Sequence, residues 1–240
     1  MGFIFLLFKL GRTMNPNYTL KDLDQSIVVE PKVEANAAVI WLHGLGADGH
    51  DFEGILPQLG LPANHAIRFV FPHAPVQPVT VNGGMSMRSW YDILSMDIAD
   101  RVDIDGLEKS SAVLMELIEE QMEQGIPANK IVLAGFSQGG LVALHTALNF
   151  SQTVAGVLAL STYYPEPCFE EASLKNQVLP ILMAHGSYDQ VIALNVAEDS
   201  KSFLESKGFN VEWQTYPMEH QVCMPEIELI SAWLQAKLIS

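Results

Sequence analysis

Ser137 sits in Gly135-Phe136-Ser137-Gln138-Gly139, a Gly-x-Ser-x-Gly pentad. An apolar run, Ile131 to Ala134, precedes it, and a helical pattern with Leu141, Leu144 and Leu148 on one face follows it. That context predicts a nucleophile elbow, a sharp turn from strand into helix that strains the serine backbone and exposes its hydroxyl. A Cβ at Gly135 or Gly139 would crowd such a turn. The serine would also stand at a helix N-terminus, where backbone N–H groups stabilise negative charge. The chemistry this implies is attack of the hydroxyl on a carbonyl, with a covalent acyl-enzyme to follow.

A serine hydroxyl is a weak nucleophile and needs a general base, which in turn needs an orienting carboxylate. At an elbow of this kind the expected order is Ser, then Asp or Glu, then His. Of the seven histidines, only His185 and His220 fall late enough. His185 closes the apolar run Ile181 to Ala184, a place that predicts packing or hydrogen bonding at the end of a sheet. Asp189 lies just beyond, in a loop where the acid would sit. His220 falls between the last expected strand and the last expected helix, where a loop can aim it back at the elbow. Alone, His220 reads as a surface loop residue; with Ser137 and Asp189 in order, it reads as the base. The oxyanion would be held by the backbone N–H of Gln138 and by one from His43-Gly44-Leu45-Gly46, with Leu45 the expected donor.

These groups need a scaffold, and the pattern supplies one. Strands are expected over 26–29, 37–42, 67–71, 131–134, 154–160, 178–184 and 211–216, and helices over 52–59, 194–204 and 227–238. A further helix begins at Asp103, with Ile104, Leu107, Leu114, Leu117 and Ile118 turned inward, and stops at Gly125-Ile126-Pro127. Residues 75–90, with Asn82-Gly83-Gly84 at the centre, read as a hairpin excursion. Short apolar strands alternating with helices imply an α/β fold, a mainly parallel sheet covered on both faces. Nothing marks a linker or repeat, so residues 14–240 read as one domain.

The 240 residues suffice for a sizeable core, and 49% hydrophobic with 17% charged residues exclude a disordered chain. A net charge of -15 argues against nucleic acid and anionic membrane surfaces as partners. Cys168 and Cys223 suggest neither a metal motif nor a disulfide framework, and free thiols point to a reducing, cytoplasmic compartment. The apolar stretch Gly2 to Phe8 is too short to span a bilayer, and Lys9 and Arg12 follow it rather than precede it, the reverse of a secretory signal. Residues 1–13 therefore read as a non-core extension ahead of Met14. The competing reading is a short membrane-associating anchor.

Two metal readings fail on spacing. His43, Asp48, His50 and Asp51 share no tight ligand motif. Asp103-Ile104-Asp105-Gly106 resembles a calcium loop, but Arg101 and Ala112 occupy its first and last ligand positions. Those acids are expected to cap the following helix instead. No metal or cofactor is expected.

The chain resembles the carboxylesterase/acyl-protein thioesterase group of α/β-hydrolases, also described as phospholipase/carboxylesterase. The resembling segments, in order, are Leu42 to Gly49, Phe71-Pro72-His73-Ala74-Pro75, Pro78 to Gly84, Met87-Arg88-Ser89-Trp90-Tyr91-Asp92, Gly135 to Gly140, Leu160-Ser161-Thr162-Tyr163 and His185 to Val191. The Asn-Gly-Gly and Met-Arg-Ser-Trp-Tyr-Asp segments are similar to a bacterial-type member. The resemblance implies an α/β-hydrolase fold with Ser137 as nucleophile, His220 as base and acid, and Asp189 as orienting carboxylate. It implies Leu45 and Gln138 as oxyanion donors, and an acyl groove bordered by the hairpin, which brings Met85, Met87 and Trp90 to the substrate; hairpin packing is the alternative for these three. The Met218-Glu219-His220-Gln221-Val222 segment departs from the Gly-His-Ser/Glu of many relatives. The implied activity is carboxylic ester hydrolysis on a small-molecule substrate. The alternatives are an acyl-protein thioesterase or lysophospholipase, acting on an acylated protein or a lysophospholipid, and a non-catalytic binding protein. A homodimer is left open.

Overall fold

The computed structural model describes residues 18–95 and 101–239. The expected extension, residues 1–13, lies outside them. Along the chain run β1 (Tyr18–Asp22), β2 (Ser26–Pro31), β3 (Ala37–Leu42), a one-turn α1 (His50–Glu53), β4 (Ile67–Pro72), β5 (Val76–Val79), β6 (Met85–Arg88) and α2 (Ile104–Glu123). Then follow β7 (Ile131–Phe136), α3 (Gln138–Asn149), β8 (Gly156–Leu160), β9 (Ile181–Gly186), α4 (Leu194–Ser206), β10 (Val211–Tyr216) and α5 (Met224–Leu238).

Eight strands form one sheet in the order β1-β2-β4-β3-β7-β8-β9-β10. From β4 to β10 all neighbours are parallel; β1 and β2 add an antiparallel edge. Strand β3 shows why these strands read as continuous apolar runs. Ala38, Ile40 and Leu42 enter one core, with α2 and α3; Ala37, Val39 and Trp41 enter the other, with α1 and α5. Successive side chains of a strand point to opposite faces, so a sheet covered on both sides needs apolar residues at every position. The result is an α/β-hydrolase fold.

Three expectations shift. The helix over 52–59 is broken: α1 ends at Glu53, and Leu56–Leu59 forms a 3-10 turn opened by Pro57, because proline cannot donate a helical hydrogen bond. The strand expected from Val178 starts at Ile181, after Pro180, and leaves Val178 exposed. Strand β1 was not expected; it is short, and its residues from Thr19 to Asp22 are exposed. Asp103 caps α2 as anticipated, its Oδ1 accepting from the Gly106 N–H at 3.0 Å.

Candidate active site

The sharpest local feature is the backbone of Ser137, at φ 54° and ψ -121° between β7 and α3. Two tightly packed glycines and two hydrogen bonds hold it there. A Cβ on Gly135 would collide with the carbonyl oxygen of Gly139. A Cβ on Gly139 would lie 2.6 Å from the carbonyl oxygens of both Leu42 and His43. The Ser137 N–H donates to Leu160 O at 2.9 Å, and Thr162 Oγ1 donates to Ser137 O at 2.7 Å. The elbow is thus clamped by β3 on one side and by the end of β8 on the other. Strain of this kind persists only where the surroundings over-determine it.

Loops from the far end of the sheet bring the other groups. Asp189 follows β9 with its carboxylate fully buried. Its Oδ1 accepts from the N–H groups of Val191 (2.8 Å) and Ile192 (2.9 Å), and its Oδ2 lies 2.7 Å from His220 Nδ1. Burial alone would raise this carboxyl, but hydrogen bonding and charge from His220, with the two amides, bring it below the usual range. An ionised carboxylate only accepts, so His220 Nδ1 is the donor, and in the neutral ring that tautomer leaves the lone pair on Nε2. The His220 ring packs on Phe136, the residue before Ser137, with centroids 4.7 Å apart. Gly186 is required where the two loops meet, since a Cβ there would strike the carbonyls of Met218 and Glu219.

His185 is buried and donates from Nε2 to Ile192 O at 2.9 Å, with Asp189 Oδ2 3.5 Å away and Trp213 stacked on it. Burial lowers its pKa. It supports the acid loop, as its place at the sheet end suggested, and sequence reasoning had not linked it to Asp189.

The loop after β3 passes over the elbow: a Cβ on Gly44 would be 3.5 Å from Ser137 Cβ. Gly46 N–H donates to Arg88 O at 2.8 Å and Gly140 N–H to Ser137 O at 2.9 Å. Among the described residues no backbone bond takes the amides of Leu45 and Gln138. His43 anchors this loop. It is buried, accepts from the Ala74 N–H at Nε2 (3.0 Å) and donates from Nδ1 to Gly44 O (2.7 Å). Burial drives its pKa down to about 4, so it stays neutral in that tautomer.

The hairpin β5–β6 lies beside this loop, with Met87 Sδ 3.9 Å from the Cβ position of Gly46. Met85 is 65% exposed at its tip, whereas Trp90 is only 3% exposed and donates its indole N–H to His43 O at 2.9 Å. Ser89 and Tyr91, not singled out from sequence, bond the Gln138 side chain; the unbroken Arg-Ser-Trp-Tyr-Asp run beside the hairpin was the available signal. Among the described residues no cluster of three or more His, Cys, Asp or Glu side chains is placed to hold a metal ion.

Against this geometry, residues 23–238 match the family model described as Phospholipase/Carboxylesterase. The chain is 34% identical over 229 residues to acyl-protein thioesterase 1 of Neurospora crassa, covering 88% of this chain and 91% of that one. It is 36% identical over 221 residues to the Yarrowia lipolytica acyl-protein thioesterase 1, covering 89% and 97%. The crystal structure of Zea mays acyl-protein thioesterase 2 superposes with a TM-score of 0.77 at 28% identity, over 89% of this chain and 99% of that one. The Bacillus cereus carboxylesterase shares the fold, with a TM-score of 0.71 at 19% identity over 88% and 93%. The chain therefore belongs to the phospholipase/carboxylesterase family of α/β-hydrolases, a family of carboxylic ester hydrolases.

Proposed function

We propose that this hydrolase cleaves carboxylic esters with Ser137 as nucleophile, His220 as base and acid, and Asp189 as the orienting carboxylate. The observation that carries the reading is the 2.7 Å contact between His220 Nδ1 and an ionised Asp189, on a ring packed against the residue preceding Ser137. The Nε2 lone pair takes the serine proton as Oγ bonds to the carbonyl carbon. The amides of Leu45 and Gln138 hold the oxyanion, where fixed donors act without reorganising. Collapse of the adduct expels the alcohol with the proton from His220, and water repeats the sequence to release the acid.

A second reading, hydrolysis of long-chain thioesters on proteins or of lysophospholipids, has its own support. Met85, and Tyr188 and Val191 on either side of the triad acid, leave apolar side chains in solvent near the site, and such exposed groups suit an acyl chain. The proposed compartment is the cytoplasm, which suits the free Cys168 and Cys223. Among the described residues no helix is long and apolar enough to cross a membrane.

The test is kcat/KM for p-nitrophenyl esters from acetyl to palmitoyl with matched thioesters. Ser137→Ala should lower kcat by about 10⁴ or more; a fully active variant would sink the reading. A short-chain optimum supports the esterase. Rates that climb with chain length or favour thioesters support the second reading. Failure of the wild type to react with a fluorophosphonate would leave a binding protein without catalysis.

A further inference from the structure

The two amides proposed to hold the oxyanion belong to segments 93 residues apart, Leu45 in the loop after β3 and Gln138 at the start of α3. The hole works only if both point at one spot, and misplacement by about 1 Å can cost on the order of 100-fold in rate. The pairing of β3 with β7 brings the two segments together, and beyond their strand ends one residue hydrogen-bonds to both. The Trp90 backbone N–H donates to Gln138 Oε1 at 2.8 Å. Its indole N–H donates to His43 O at 2.9 Å, two residues before Leu45.

The rest of the surroundings fix this tie. Gln138 Nε2 donates to Tyr91 O at 2.6 Å and to Ser89 Oγ at 3.0 Å, so its amide group is held from both ends. Ser110 Oγ, on α2, donates to Trp90 O. The His43 ring lies 5.3 Å from the indole, centroid to centroid, and its own two nitrogens are committed to Ala74 N–H and Gly44 O. Both polar groups of Trp90's N–H set are therefore engaged inside the protein, and its side chain is buried rather than presented to a ligand.

We propose that Trp90 is a positioning residue that bridges His43 and Gln138 and so holds the two halves of the oxyanion hole in register. The inference rests on the assignment of the Leu45 and Gln138 amides as that hole. Trp90 acts through the segments it joins, so its removal weakens transition-state binding and leaves ground-state binding intact.

The experiment replaces Trp90, in the full chain, with β-(3-benzothienyl)alanine by site-specific incorporation. That side chain keeps the shape and loses the N–H. The expected result is a kcat lower by about 10- to 100-fold with KM within about twofold. The inhibition constant of an alkyl boronic acid, which forms a tetrahedral adduct on the serine, should worsen by the same factor, while that of the product carboxylate holds. Unchanged kcat overturns the proposal, and a rise in KM alone overturns it in favour of a substrate wall. A double-mutant cycle with Gln138→Met, which removes the other end of the bridge, adds a check should the isostere lower Tm. Non-additive losses in kcat support one shared hole, and full additivity refutes it. Wild-type labelling by a fluorophosphonate separates the layers. A labelled, active wild type with an unaffected isostere sinks Trp90 alone, whereas an unlabelled wild type sinks the serine-hydrolase reading beneath it.

Discussion

Ser137 and Ser161 stand side by side at the ends of β7 and β8, and they are the two non-glycine residues with positive φ among the described residues, at 54° and 44°. The strands pair Phe136 with Leu160, so strain at Ser137 has a strained neighbour one residue beyond that pair. The role proposed for Ser137 as nucleophile accounts for its conformation. Ser161 is wholly buried, and its hydroxyl makes no hydrogen bond. Ser161→Gly should therefore stabilise the fold, by about 1 kcal/mol after the entropy cost of glycine in the unfolded chain. Urea titration reads this directly, and a loss of more than 1 kcal/mol would show that the hydroxyl has a partner.

The elbow clamp predicts an opposite result nearby. Gly139→Ala places a methyl 2.6 Å from two backbone carbonyl oxygens and should cost at least about 2 kcal/mol, with most of the esterase activity. Gly54 is the matched control: its φ is -65° and open space surrounds its Cβ position. Gly54→Ala should be stabilising by about 0.5 kcal/mol. Thermal unfolding of the pair checks both signs.

Asp189→Asn keeps the shape of the acid but removes the charge that fixes the His220 proton on Nδ1. It should lower kcat by about 10⁴ with KM little changed. Parallel loss of fluorophosphonate labelling would confirm that serine activation has failed. A variant within tenfold of wild type would mean that another carboxylate orients His220.

Glu226 occupies the third helical position of α5, wholly buried, and its carboxyl oxygens make no hydrogen bond of ordinary geometry. Burial drives it up from 4.5 to about 8, against a smaller downward pull from the Cys223 backbone. Below pH 4.5 both folded and unfolded chains hold this proton. Between pH 4.5 and 8 the unfolded chain releases it first, so stability falls as pH rises. Glu226→Gln, which does not titrate, should match wild type near pH 4.5 and exceed it by roughly 2–4 kcal/mol at pH 8. Denaturation at the two pH values decides, and an equal gap at both would mean Glu226 is ionised throughout.

Sequence revealed the sheet where burial on both faces forces unbroken apolar runs, as in β3 and β7. It hid β1, whose pairing to β2 uses backbone bonds and leaves the side chains from Thr19 to Asp22 exposed. The candidate site was legible as an order of residues, because Ser137, Asp189 and His220 each follow the end of a strand. The contacts of Trp90 and His185 were not, since an aromatic or imidazole ring at the end of an element can face a ligand or the protein, and neither ring's long-range hydrogen bonds are written in the local sequence. The strain at Ser161 was equally hidden: serine gives no signal of positive φ.

The histidine loop also sets when the molecule can first work during its synthesis. Ser187 N–H bonds Tyr216 O at 2.8 Å and Tyr188 N–H bonds Met218 O at 3.0 Å, so the acid loop is tied down by residues that emerge some thirty positions later. Chains leave the ribosome from the N-terminus, and β10 is the edge strand added last to the sheet. A nascent chain reaching only β9 already holds Ser137, Leu45 and Gln138, yet lacks His220, the proposed base, and the anchor of the Asp189 loop. With the proposed triad, hydrolysis is a property of the completed sheet, and partial chains are born latent.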